Sequence, residues 1–284
     1  MATREIQTKR TIAVLGAASR IGWGLALSLA RGGYRVLLSD DGSHDGKSSA
    51  GKLSSLVDRI RPTAARTNLD IVSTSHEASW EADIIILAVP FEVQDEIAGR
   101  IKDVAAGKTV VSVANPLNDH CDGLLTSPTT SAAEELAHRL PQSRIVKAFN
   151  TIFPAQLEKP AASGRIVDVF VAGDDDDAVS TVMQLVRDAG FHPIYAGRLA
   201  MSGTLERMMV LLISIAAHDH PPGTAGWMVV HDTDAPGTDQ TRHNESRTGH
   251  AMRSPATPRQ ERRDRKGRNI NSHTDTRADH GRHE

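Results

Sequence analysis

Two hydrophobic rhythms alternate along the chain. Short runs that are apolar on both faces, at 11–16 (TIAVLG), 34–39 (YRVLLS), 83–89 (DIIILAV), 109–113, 144–149, 167–172 and 193–196, read as buried strands, with 70–73 as a further one. Between them, apolar residues recur at three- and four-residue spacing. Ile21, Leu25 and Leu29 open such a helix, which Gly32-Gly33 stops. The same spacing predicts helices over 52–60, 92–102, 131–140, 154–158, 176–189 and 199–217. Doubly buried strands alternating with helices predict an α/β fold: a Rossmann-like, doubly wound, mostly parallel sheet with helices on both faces.

Composition divides the chain. Residues 231–284 hold 11 Lys/Arg, 9 Asp/Glu and 6 of the 13 His, but no aromatic residue, no Leu and no Val. Such a segment buries too little surface to offset a backbone ordering cost of roughly 1–2 kcal/mol per residue. The expected organisation is one dinucleotide-binding domain over 1–230 and a disordered polar tail over 231–284. In the tail, Arg262, Arg263, Arg265, Lys266 and Arg268 are diluted by Glu261 and Asp264, and no ring is present to stack on bases, so no nucleic-acid partner is expected. The formal net charge of -2 gives no field that would draw the chain to nucleic acid or an anionic membrane. Cys121 is the single cysteine, which excludes a disulfide framework and a cysteine zinc cage. No apolar run approaches the roughly 18 residues of a membrane span, and MATREIQTKR has no apolar signal region. The expectation is a cytoplasmic protein acting on small molecules, with the apolar last helix as the basis for a homodimer.

Candidate chemistry begins at GAASRIG, residues 16–22, where a strand feeds a helix. Free N–H groups and the helix dipole make that junction a pyrophosphate site. Aligned with the G-x-G-x-x-G fingerprint on its first and last glycines, Gly16 and Gly22, the turn carries Ser19 for the middle glycine. Asp40 ends the second strand where a carboxylate usually bonds the ribose of NAD, and Asp41 adds a second charge. Carboxylates there repel a 2′-phosphate and favour NAD over NADP, although Arg20, Arg35 and Lys47 are available to fold over one. Other enzyme classes fit poorly. The opening turn resembles that of short-chain dehydrogenases, but the fourth residue after Tyr34 and after Tyr195 is leucine, so the Tyr-x-x-x-Lys pair is missing. There is no G-x-S-x-G elbow, and Cys121 has only His120 beside it. The aspartates of GDDDDA, 173–178, stand between a strand and a helix and read as caps rather than as metal ligands.

Four further segments, in order, carry a family resemblance. They are ILAVP at 86–90, SAAEEL at 131–136 followed by VKAFNT at 146–151, VFVAGDD at 169–175, and Gly190-Phe191-His192-Pro193 leading to the Ala196–Leu199 step. Over about residues 11–230 the chain resembles the NADP oxidoreductases dependent on coenzyme F420, a deazaflavin, and is similar to the reductase domains of STEAP metalloreductases, which pass hydride to a flavin. The resemblance implies that Ala18, Ser19, Arg20 and Ile21, with Gly16 and Gly22, hold the phosphates. It implies that Ala88, Val89 and Pro90 line the nicotinamide ribose, and that Asn115 and Ala148–Thr151 form the wall beside the nicotinamide and the second cofactor. Asp40 and Asp41 stand where the family has Ser-Arg. The implied activity is reversible hydride transfer between NADP or NAD and coenzyme F420 or a flavin. Asn150 and Thr151, polar at a strand's C-terminal end, are the candidate catalytic residues. Phe149 reads as packing, and Lys147 as the partner of a carboxylate. The alternatives are a dinucleotide-binding sensor or inactive relative, and a reductase of a small carbonyl or imine.

Overall fold

A computed structural model describes residues 9–40, 50–60, 68–158, 166–218 and 225–230. The readings of Asp41, of Lys47 and of the 231–284 tail fall outside the described residues. The chain runs β1 (Thr11–Leu15), α1 (Arg20–Arg31), β2 (Arg35–Ser39), α2 (Ala50–Ile60), β3 (Leu69–Ile71), α3 (Ser75–Glu81), β4 (Ile84–Leu87), α4 (Phe91–Ile101) and β5 (Thr109–Ser112). It continues through α5 (Ala132–Arg139), β6 (Arg144–Lys147), α6 (Pro154–Glu158), β7 (Asp168–Gly173), α7 (Asp176–Asp188), β8 (His192–Gly197), a 3-10 turn at Leu199–Met201 and α8 (Ser202–His218).

One sheet takes the order β3-β2-β1-β4-β5-β6-β7-β8, and the crossover from β3 to β4, which lands beside β1, reverses its direction of growth. All neighbouring pairs are parallel except β6 and β7. Period-two alternation explains the two cores. Ile12, Val14, Val36, Ile84 and Ile86 point to the face covered by α1 and α7, whereas Ala13, Leu15, Leu37, Ile85 and Leu87 point to the face covered by α3, α4 and α5. Each is essentially fully buried, and full burial of a Leu or Ile stabilises by roughly 1.5–3 kcal/mol. The doubly wound architecture is the one that the alternation of runs predicts.

Three local features differ from expectation. Helix α3 was not predicted: SHEASWE buries only the small residues Ser75, Ala78 and Ser79, so it carries no apolar stripe, and Thr74 caps it by accepting from the Glu77 N–H at 3.1 Å. Strands β4 and β6 stop two residues early, at Leu87 and Lys147, because the chain turns away at the crevice, and Phe149 takes a left-handed φ of 62°. The last helix also bears on the membrane reading, though a core helix can be as long and as apolar. Leu199–His218 is long and apolar enough to span a membrane by length and composition, with mean hydropathy 1.5, and 44% of that window is buried. Leu205, Met209, Leu212 and Ala216 form its inward stripe.

Candidate functional site

The crevice lies at the C-terminal ends of β1, β4 and β5, where the sheet changes direction. Open α/β sheets bind ligands at this position. It encloses about 290 Å³. Ser19, Arg20 and Ile21 form one side, Ala88 to Phe91 the second, Val113 to Asn115 with Leu117 the third, and Met209 of α8 completes it. Among the described lining residues the polar side chains are Ser19, Arg20 and Asn115, with no His, Tyr, Lys, Asp or Glu.

The phosphate-turn side is made largely of backbone. Gly16 has φ +81°, and a Cβ there would lie 2.6 Å from the Ala88 carbonyl oxygen. A Cβ on Gly22 would lie 2.3 Å from the Gly16 carbonyl oxygen. Both positions therefore require glycine, one for its dihedral and close approach and the other for close approach alone. The N–H groups of Gly16 and Ala17 both donate to the Ser39 carbonyl, at 2.9 and 3.1 Å, tying the turn to the tip of β2. Gly16 and Gly22 are six positions apart, one more than in the fingerprint. Counted back from Gly22, Ala17 stands in the place of the first glycine and Ser19 in that of the second. Ser19 is the N-cap of α1: its hydroxyl accepts from the Gly22 N–H at 2.9 Å and donates to the Ala88 carbonyl at 3.2 Å. It bridges the tips of β1 and β4. Helix geometry leaves the N–H groups of Arg20 and Ile21 without intrahelical acceptors, and the first turn of α1 has no acidic residue. With the Arg20 guanidinium beside it, this end suits a diphosphate. Asp40 is turned to the same place, its Oδ1 accepting from the Ala18 N–H at 3.3 Å.

The opposite wall is made of side chains. Asn115 Nδ2 donates to the Asn150 carbonyl at 2.8 Å, and Asn150 Nδ2 donates to Asn115 Oδ1 at 2.9 Å and to the Leu205 carbonyl at 3.0 Å. Asn150 and Thr151 are buried and do not line the crevice; Asn115, which Asn150 holds, does. Ala148 lies behind the same wall, fully buried, and Phe149 is a core residue, as its packing reading expects. Ser112 Oγ, Asn150 Oδ1 and Thr151 Oγ1 are buried without a protein partner, all three at the C-terminal ends of β5 and β6. Lys147 finds the carboxylate expected of it. Its Nζ lies 2.6 Å from Glu206 Oε1, and both side chains are inaccessible to solvent. Burial pushes the Lys147 ammonium below the ordinary lysine range, and Glu206 acts in the opposite direction.

Glu206 escaped the sequence reading. It stands among Leu205, Met208 and Met209 on the inward stripe of α8, as Lys147 stands in the apolar run RIVKAF. A lysine within the strand run RIVKAF and a glutamate on the buried face of an apolar helix, with Arg207 beside it facing out, were the available signal. The GDDDDA aspartates act as caps: Asp175 accepts from the Ala178 N–H at 2.8 Å, and Asp174 from the Leu199 N–H at 3.2 Å. A larger hollow, about 580 Å³, lies among Lys9, Arg10, Tyr34 and Arg187. Bonds within the protein knit it together: Tyr34 donates to Asp188 at 2.7 Å, and Lys9 pairs with the same carboxylate at 2.9 Å. None of the predicted site residues reaches it.

The sheet order and the crevice at its switch point define a Rossmann-type, doubly wound α/β fold. The family model for NADP oxidoreductases, coenzyme F420-dependent, matches residues 11–116. An F420-dependent NADP reductase from Methanothermobacter marburgensis is 32% identical over 72% of this chain and 91% of its own length. Another, from Methanocaldococcus jannaschii, is 29% identical over 75% of this chain and 95% of its own. The chain belongs to this family of F420-dependent NADP oxidoreductases. Metalloreductase STEAP3 of Rattus norvegicus is 30% identical over 66% of this chain but only 34% of its own length. A solved structure from Arthrobacter sp. FB24 shares the fold at a TM-score of 0.64 and 22% identity, covering 74% of this chain and 94% of that one.

Proposed function

We propose that this chain transfers a hydride reversibly between NADPH and coenzyme F420, the reaction for which its relatives are named. The observation that carries the reading is the crevice lining. A diphosphate-suited helix terminus stands at one end, and an apolar wall with one polar group, Asn115, at the other, with no proton-transfer group between them among the described residues. Hydride passage between two rings needs them held about 3–3.5 Å apart with water excluded, and needs no acid or base. NADPH supplies the hydride from its dihydronicotinamide, and the deazaflavin accepts it, taking up one proton from solvent as it is reduced. In this reading the Gly16–Gly22 turn and Arg20 hold the phosphates, Ala88–Pro90 contact the ribose, and Asn115, fixed by Asn150, orients the ring. The partners are small molecules, and the outward Leu211 and Ile215 of α8 offer a face to a second copy of the chain.

One observation favours a second reading, with NAD(H) in place of NADP(H): the Asp40 carboxylate is bonded to the turn at the tip of β2, where it suits free ribose hydroxyls. Anaerobic oxidation of NADPH and of NADH, each with F420, FMN and FAD, tests both. The expected result is saturable F420 reduction by NADPH, with Asp40→Ser raising the NADPH-to-NADH preference roughly tenfold, equivalent to about 1.4 kcal/mol. Turnover with a flavin and not with F420 would move the acceptor to the flavin class. Tight nicotinamide binding without turnover on any acceptor would select the inactive, sensing relative.

A further inference from the structure

Lys147 and Glu206 are both fully buried, and their contact is more than an ion pair. Apolar residues of equal volume would fill that space at no loss of stability, because a buried pair forfeits the hydration of two charges. The bonds it makes beyond itself are what apolar packing could not supply. Lys147 Nζ also donates to the carbonyl of Ala114, and Glu206 Oε2 accepts from the N–H of Ala132 at the start of α5. Ala114 and its neighbour Asn115 line the crevice from β5, and Met209, three residues beyond Glu206, lines it from α8. The adjacent Leu205 carbonyl takes the Asn150 amide that fixes Asn115. One turn of α8 is thus tied by directional bonds to the two strand ends that make this wall. Apolar contacts alone would let it slide.

We propose that Lys147 and Glu206 are positioning residues that set the spacing between the Ala114–Asn115 wall and Met209, and with it the attitude of the nicotinamide ring. The inference rests on the reading of this crevice as an NADPH site. It predicts an asymmetry: without the pair, the phosphate end still holds the dinucleotide and the ring end loosens.

The test is the full chain carrying Lys147→Met with Glu206→Leu, which removes both charges at similar volume. NADPH is titrated by the emission of its dihydronicotinamide, which rises when the ring is immobilised, and hydride transfer to F420 is followed in a single turnover. The expected result is a Kd within threefold of wild type, bound-state emission at least halved, and transfer at least tenfold slower. Wild-type Kd, emission and rate together overturn the proposal. So does a parallel loss of Kd and emission with a lowered Tm, which makes the pair merely structural. Should the double variant fail to fold, Glu206→Gln keeps the shape and weakens the anchors, and is expected to lose emission without losing affinity; wild-type emission in that variant overturns the proposal. A wild-type chain with no saturable NADPH signal fails the NADPH reading itself, and the proposal with it, and is recognised before any variant is made.

Discussion

The two walls of the crevice are built by opposite means. At the β1–α1 turn the groups proposed to meet the phosphates are backbone amides, in a turn whose glycines have no room for a Cβ. At the β5–β6 wall they are side chains, placed by a chain of buried polar contacts from Asn115 through Asn150 to Leu205, and from Ala114 through Lys147 to Glu206. A backbone site is specified within seven consecutive residues. A side-chain site needs partners about 60 and 90 positions apart along the chain to arrive together. The first tolerates change almost nowhere in the turn itself, whereas the second distributes its vulnerability over three elements.

Three substitutions break or sharpen this contrast. The largest effect is expected from Gly22→Ala, whose methyl would press on the Gly16 carbonyl. Overpacking of this kind costs about 2–3 kcal/mol, and NADPH affinity should fall at least thirtyfold, measured by urea denaturation and fluorescence titration. Equal affinity in the variant would mean that phosphates are not bound at the turn. Next comes Asn150→Ala, which removes the two bonds its side-chain amide makes to Asn115 and Leu205 and keeps the one from Asn115 to the residue 150 carbonyl. It should cost about 1–3 kcal/mol of stability. Single-turnover hydride transfer should slow about tenfold with NADPH affinity nearly kept, the reverse of the Gly22 pattern. A matched loss of affinity in both variants would erase the distinction between the walls.

The smallest effect is a control remote from either wall. The Tyr34 phenol is driven up by burial first and then by its bond to Asp188. Its folded pKa exceeds the unfolded value of about 10, so its contribution is complete below pH 10 and is lost as pH rises further, while the unfolded phenol ionises and the folded one keeps its proton. Tyr34→Phe should cost about 1 kcal/mol at neutral pH, flatten the alkaline decline in urea stability and leave hydride transfer unchanged.

The same contrast decides what could be read from the sequence. Strand and helix order followed from the switch between doubly apolar runs and helical spacing, because a sheet covered on both faces demands that pattern. The turn was recognisable from Gly16 and Gly22, and their spacing, one residue longer than the fingerprint, can be counted in the sequence, although only the structure shows that Ser19 caps α1. Helix α3 was hidden because small polar side chains bury its inner face. Asn150 was singled out as a polar residue at a strand end, but its burial behind Asn115 depends on the Leu205 carbonyl, 55 residues away. Glu206 was legible only as an anomaly within an apolar helix, since nothing local says which cation it will meet.

The reversed strand β7 has a consequence for the catalytic architecture. It runs against β6, and its end meets the C-terminal end of that strand, with Ala172 beside Lys147 and Gly197 of β8 beside Ala172, so the chain enters α8 level with the crevice. The strand that interrupts the sheet's parallel order is thus what sets the last helix down beside the crevice, with Met209 in its second turn.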